Sequence, residues 1–184
     1  MPEQLSPSLV ELREKIATFI VDELEPLESQ LTGLEVDPVV RTEVIKRSRA
    51  AGLFGLTQPT EFGGGEAGPL ALTVVREALG RANLRVGAYV LGPRPGVLVS
   101  ATGRLRDNYL EPLMRGEKRA AFAFTEPEDV ERRTWAAQDG DELVITGRKA
   151  FVTRGADADF ISALVNVERD AQGVGGTAMI VVDR

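Results

Sequence analysis

The hydrophobic pattern changes period once, near Gly116-Glu117-Lys118, and does not change back. Before this point apolar residues recur at helical spacing; after it, short runs alternate as strands do. The chain is therefore expected to be α+β, with an all-α domain over residues 1–117 and a β-domain over residues 118–184.

Ser6-Pro7-Ser8 reads as a helix start, and an amphipathic helix follows to about Leu31, with Val10, Leu12, Ile16, Phe19, Ile20, Leu24 and Leu27 mostly at helical spacing. Pro26 is expected to bend or end it. Asp37 caps a second helix opened by Pro38 and stopped by Gly52. A third helix spans Pro69 to Ala82. Val86 to Thr102 has a helical pattern interrupted by Pro93 and Pro95, and Arg104 to Met114 is a further helix. The run Gly63-Gly64-Gly65 lacks a following Gly-Lys-Ser/Thr and a preceding strand, so it reads as a turn rather than a phosphate loop. Strands are expected near Arg119–Thr125, Thr134–Gln138, Glu142–Thr146, Arg148–Thr153, Phe160–Val167 and Thr177–Val182. Asp139-Gly140-Asp141 is a hairpin turn, and residues 170–176 form a connecting loop.

Two stretches carry the chemistry. In Ala120-Ala121-Phe122-Ala123-Phe124-Thr125-Glu126-Pro127, strand alternation puts Phe122 and Phe124 on one face, expected to be the core face. Ala121, Ala123 and Thr125 form a shallow opposite face ending in a hydroxyl, which a flat ring could approach. Pro127, with no N–H, ends the ladder. In Gly147-Arg148-Lys149-Ala150-Phe151-Val152-Thr153, Phe151 and Thr153 share a face. One stacking ring and two hydroxyls suit a planar cofactor; an ordinary hydrophobic strand ending in Thr is the alternative.

Composition removes other chemistries. With 43% hydrophobic residues the chain can bury a core, and a net charge of −6 with a pI near 4.9 argues against nucleic acid or an anionic membrane as partner. There is no Cys and no His, which excludes disulfides, thiolate nucleophiles, His bases and the usual zinc sites. The N-terminus shows no basic-then-apolar leader pattern, and no apolar run reaches spanning length, so a cytoplasmic location is the default expectation.

Phe-Ala-Phe-Thr-Glu-Pro followed by Asp139-Gly140-Asp141, a short strand, Gly147-Arg148-Lys149 and Phe151-Val152-Thr153 resembles the middle β-domain of the acyl-CoA dehydrogenase family. Ala51-Gly52-Leu53-Phe54-Gly55-Leu56-Thr57-Gln58-Pro59-Thr60-Glu61-Phe62-Gly63-Gly64 and Tyr109-Leu110-Glu111-Pro112-Leu113-Met114-Arg115-Gly116-Glu117 are similar to segments of its N-terminal helical domain. The resemblance runs from about Leu9 to Arg184. It implies an N-terminal helical domain, most of a middle β-domain that is a partial antiparallel β-barrel, and a C-terminal four-helix domain not represented in these residues.

The resemblance also implies function. The family oxidises acyl-CoA thioesters to 2-enoyl-CoA with FAD as hydride acceptor. Phe122, Phe124, Thr125, Phe151 and Thr153 match its flavin-contacting positions. The family's usual Gly-Ala-Gly-Ser-Asp after Thr-Glu-Pro is Glu128-Asp129-Val130-Glu131-Arg132 here, and Glu131 takes the place of a substrate-contacting Ser. No catalytic residue is expected within the chain, because the family's catalytic Glu lies in the C-terminal domain; Glu126 and Glu131 are weak stand-ins. The expected whole is an FAD enzyme portion, silent alone, completed by a C-terminal part or partner chain and self-associating. A non-catalytic scaffold module and a monooxygenase or oxidase on the same fold are the alternatives.

Overall fold

The computed structural model describes residues 4–168 and 175–184, so most of the connecting loop expected at 170–176 lies outside the described residues. Two compact units form: the chain up to Pro95 with Met114–Gly116, and Gly96–Leu113 with Glu117–Arg184.

The first unit is helical. α1 (Pro7–Phe19) runs through a widened π turn, Ile20–Leu24, into one more α turn, α2 (Glu25–Glu28). Pro26 neither ends nor breaks this helix. The π turn just ahead of it shifts the hydrogen-bond register where the proline ring would meet the carbonyl four residues back. The second unit repeats the device: a π turn at Arg106–Leu110 precedes Pro112. In α3 (Pro38–Ala50) the Asp37 carboxylate accepts the Val39 N–H at 2.7 Å, the cap expected from sequence. α4 (Pro69–Ala82) ends on Asn83 in the left-handed region. Ile16, Phe19, Ile20, Leu24 and Leu27 meet Val44, Leu53, Val75, Val86 and Val90 in one core.

The helical pattern over residues 86–102 does not become a helix. Short 3-10 turns at Arg85–Tyr89 and Gly96–Leu98 flank the proline pair. Gly64 explains the glycine run: a Cβ there would lie 2.0 Å from the Gln58 carbonyl oxygen, so the loop closes only over a bare Cα. Among the described residues no helix is long and apolar enough to cross a membrane.

The second unit carries α5 (Gly103–Leu105), the π turn and the start of α6 (Glu111–Met114), then five strands: β1 (Ala120–Ala123), β2 (Trp135–Asp139), β3 (Glu142–Thr146), β4 (Phe160–Val167) and β5 (Gly176–Asp183). The chain is α+β as expected, but the sheet is mixed rather than antiparallel. β1 and β2 both run parallel to β4, while β2–β3 and β4–β5 are antiparallel. Among the described residues the sheet does not close. Gly140 at φ +61° and Asp141 make the two-residue turn that pairs Asp139 with Glu142. One face of the sheet buries Ala123, Ala136, Ala163 and Val165 against Ile145, Val152 and Ile180. On the other, the fully buried Phe160 meets the Tyr109 ring edge-on at 5.1 Å, and the Tyr109 hydroxyl donates to Asp183 at 2.9 Å.

Candidate functional site

The site grows from a division of one strand edge. β1 pairs with the first half of β4 (Ala120–Ala123 with Phe160–Ala163), and β2 takes over at its end (Trp135 and Ala136 with Asn166 and Val167). Between these pairings residues 124–134 leave the ladder as a loop. Glu126, near its start, reaches back to its end, where its carboxylate accepts the Thr134 N–H at 2.7 Å. The same oxygen accepts from Lys149 Nζ at 2.9 Å. The two side chains are only 14% and 12% exposed, so the pair is shielded from solvent. Lys149 donates in addition to the Phe124 carbonyl at 3.2 Å, and the Ala150 N–H donates to the Thr125 carbonyl at 2.8 Å.

The Lys149 hydrogen bond is the chief cause that holds the Glu126 carboxyl down to about 2, with Thr134 adding to it and burial opposing it. A carboxylate held this low, with one oxygen shared by two donors, is a poor proton acceptor.

Beside this pair opens a cavity of about 520 Å³ lined by Phe124, Thr125, Val130, Arg133, Leu164 and Thr177, with Glu126 and Lys149 in its wall. The acidic loop above it is partly neutralised: Asp129 pairs with Arg148, and Arg132 pairs with Glu168 while its guanidinium stacks 4.1 Å from the Trp135 ring.

The alternation expected in β1 holds, but its faces are reversed. Ala121 and Ala123 are buried, while Phe122 and Phe124 are 50% and 57% exposed, their rings stacked at 6.1 Å and 16°. The alanines fit against the tightly packed sheet core, where two phenyl rings would not. The strand expected at 148–153 does not form: residues 147–152 belong to no strand. Gly147, at φ +157°, turns the chain against Thr134, and Phe151 sits in the left-handed region at φ +56°. Its ring is 90% exposed. Thr153 is exposed at the head of a turn, so it shares no strand face with Phe151. Thr125 and Glu131 are also exposed. The Ala150–Thr125 bond thus brings Thr125 against the residue before Phe151, although not by strand pairing.

Sequence reasoning missed the Glu126–Lys149 pair. The available signal was one acid just after the apolar run of β1 and one base just before Ala150-Phe151-Val152, each where the strand pattern breaks.

The acyl-CoA dehydrogenase N-terminal domain family model matches residues 6–117. The chain belongs to the acyl-CoA dehydrogenase family. Among curated relatives in this family, a 3-(aryl)acrylate reductase of Clostridium sporogenes is 32% identical over 94% of this chain and 47% of its own length. Acyl-CoA dehydrogenase FadE29 of Mycobacterium tuberculosis is 29% identical over 97% of this chain and 48% of its own. A solved putative acyl-CoA dehydrogenase from Mycobacterium smegmatis superposes with a TM-score of 0.69 at 29% identity, over 98% of this chain and 48% of its own. The chain thus spans about half the length of these relatives.

Proposed function

We propose that these residues form the N-terminal part of an FAD-dependent oxidoreductase of the acyl-CoA dehydrogenase type, acting on the α,β-carbons of an acyl thioester. The observation that carries this reading is the exposure of the stacked Phe122 and Phe124 rings and of Thr125, with the exposed Phe151 one residue beyond the Ala150–Thr125 hydrogen bond. Apolar rings left this open on a small domain mark a binding surface. Stacking rings with an adjacent hydroxyl fit an isoalloxazine, whose faces are apolar and whose pyrimidine edge is polar.

Phe122, Phe124, Thr125, Phe151 and Thr153 would hold the flavin, and Glu131 lies in the loop assigned to the substrate side. FAD, when bound, supplies the two-electron acceptor that removal of hydride from Cβ requires. The chain's own residues supply shape: Phe122 and Phe124 offer apolar surface, and the Thr125 hydroxyl can donate or accept. The Glu126–Lys149 pair carries no net charge into the site. The proton acceptor for Cα is then provided outside these residues, by a C-terminal part of the protein or by a partner chain. The outer edges of β3 and β5, which have no strand neighbour among the described residues, support such completion or self-association.

The test is anaerobic addition of acyl-CoA thioesters of graded chain length to the full-length protein reconstituted with FAD. Loss of the oxidised-flavin absorbance with formation of a 2-enoyl product is expected. Protein that takes up no FAD, or flavin that stays oxidised with every thioester, overturns the reading.

A further inference from the structure

We propose that Lys149, held by Glu126, is a positioning residue that fixes the Phe151 backbone beside the Phe124–Thr125 backbone, so that its ring is presented with the Phe124 ring as one ring-binding arrangement. Phe151 combines two features that need explanation together. Its backbone is in the left-handed region, which a bulky side chain disfavours, and its ring is 90% exposed, so no packing of the ring holds it there. The flanking residues must hold it. On the C-terminal side Val152 packs against the Ala123–Ala136–Ala163–Val165 core. On the N-terminal side the anchors are Lys149 and Ala150, both bonded to residues 124–126.

The polarity of this clasp runs one way. Lys149 is the donor to a carboxylate and to the Phe124 carbonyl, and Glu126 is the acceptor for both Lys149 and the Thr134 N–H. A plain ion pair needs only opposite charges; this one also needs a cation facing Phe124 and an anion facing Thr134. Arginine outnumbers lysine in the sequence, yet the cation here is lysine. A compact ammonium can point at two acceptors around one nitrogen, whereas a planar guanidinium presents a fixed fork.

The inference rests on the flavin reading for its functional consequence, but its structural half can be tested apart. The full-length protein is compared as wild type, Lys149→Met, Lys149→Arg and the reversed pair Glu126→Lys/Lys149→Glu. Backbone hydrogen exchange is read at Ala150 and across β4, and FAD affinity by titration. Lys149→Met is expected to speed exchange at Ala150 by about tenfold or more and to weaken FAD by a similar factor, with β4 protection kept. The reversed pair restores neither, because the Phe124 carbonyl would then face an anion and the Thr134 N–H a cation. Lys149→Arg restores both only in part.

Unchanged exchange at Ala150, or full rescue by the reversed pair, overturns the proposal. Should Lys149→Met lose protection throughout the sheet, Glu126→Gln decides, since it keeps an acceptor for Thr134 and loosens only Lys149. A loss at Ala150 that exceeds the loss across β4 supports positioning, and a loss across β4 as large as that at Ala150 assigns the pair to bulk stability and overturns it. A wild type that takes up no FAD defeats the flavin reading, while the exchange arm still decides the clasp.

Discussion

Lys149 Nζ lies 2.9 Å from the Glu126 carboxylate, across 23 residues of chain, and this bond ties the loop that divides β1 from β2 to the segment after β3. It joins the two short motifs from which the candidate site is built. Its depth in the fold makes it sensitive to acid, to steric change beside it and to the exposed rings it organises.

The acid response follows from sign. The folded Glu126 carboxyl is held near about 2 against an ordinary 4.5. A carboxyl depressed by folding adds stability above its unfolded value, and that contribution fades as pH falls from 4.5 toward 2. Glu126→Gln is expected to lower stability at neutral pH, and the gap to wild type should narrow steadily in acid. Urea unfolding followed by the fluorescence of Trp135 at neutral pH and near pH 3 checks this. A gap of constant size across that range contradicts it.

Gly147 tests the steric side. A Cβ at this residue would lie 2.4 Å from Thr134 Oγ1 and 2.6 Å from Thr134 Cα, on a backbone at φ +157°. Gly147→Ala is expected to destabilise the protein by about 2 kcal/mol or more, because the obstacle is backbone and cannot rotate away. A melting temperature equal to wild type would show that the turn relaxes freely.

Phe124 and Phe160 make a matched comparison. Phe160 is fully buried and Phe124 is 57% exposed. Phe160→Ala should cost about 3–5 kcal/mol, and Phe124→Ala less than about 1 kcal/mol. The order should reverse for FAD affinity per unit of stability lost. Denaturant midpoints and flavin titration on the same preparations measure both.

Phe151 carries backbone strain with no packing return. Phe151→Gly removes the left-handed penalty, so stability is expected to hold or rise by up to about 1 kcal/mol while FAD affinity falls. A clear drop in melting temperature would mean that the ring is packed in solution, contrary to its exposure.

Much of the fold was legible in the sequence because it rests on local patterns. The α+β division, the Asp37 cap, the Asp139–Glu142 hairpin and the bounds of β3 and β4 follow from spacing and turn chemistry. What was hidden depends on tertiary neighbours. Alternation told that Phe122 and Ala123 oppose each other, but not which one faces the core; that depended on how closely β4 packs. The letters 148–153 resemble a strand, yet the backbone turns at Gly147 and Phe151 for reasons 13 residues or more away in sequence, at Thr134 and Thr125. The π turns ahead of Pro26 and Pro112 are a compensation that a proline rule alone does not foresee.

The central claim is that the exposed rings of Phe122, Phe124 and Phe151 are a flavin-binding face. Titration of the full-length protein with FAD, followed by flavin fluorescence, tests it most directly. The account predicts saturable quenching by wild type, weakened by about tenfold or more in Phe124→Ala and in Phe151→Gly while both variants keep their melting temperature. No quenching by wild type, or equal affinity in all three proteins, would contradict it.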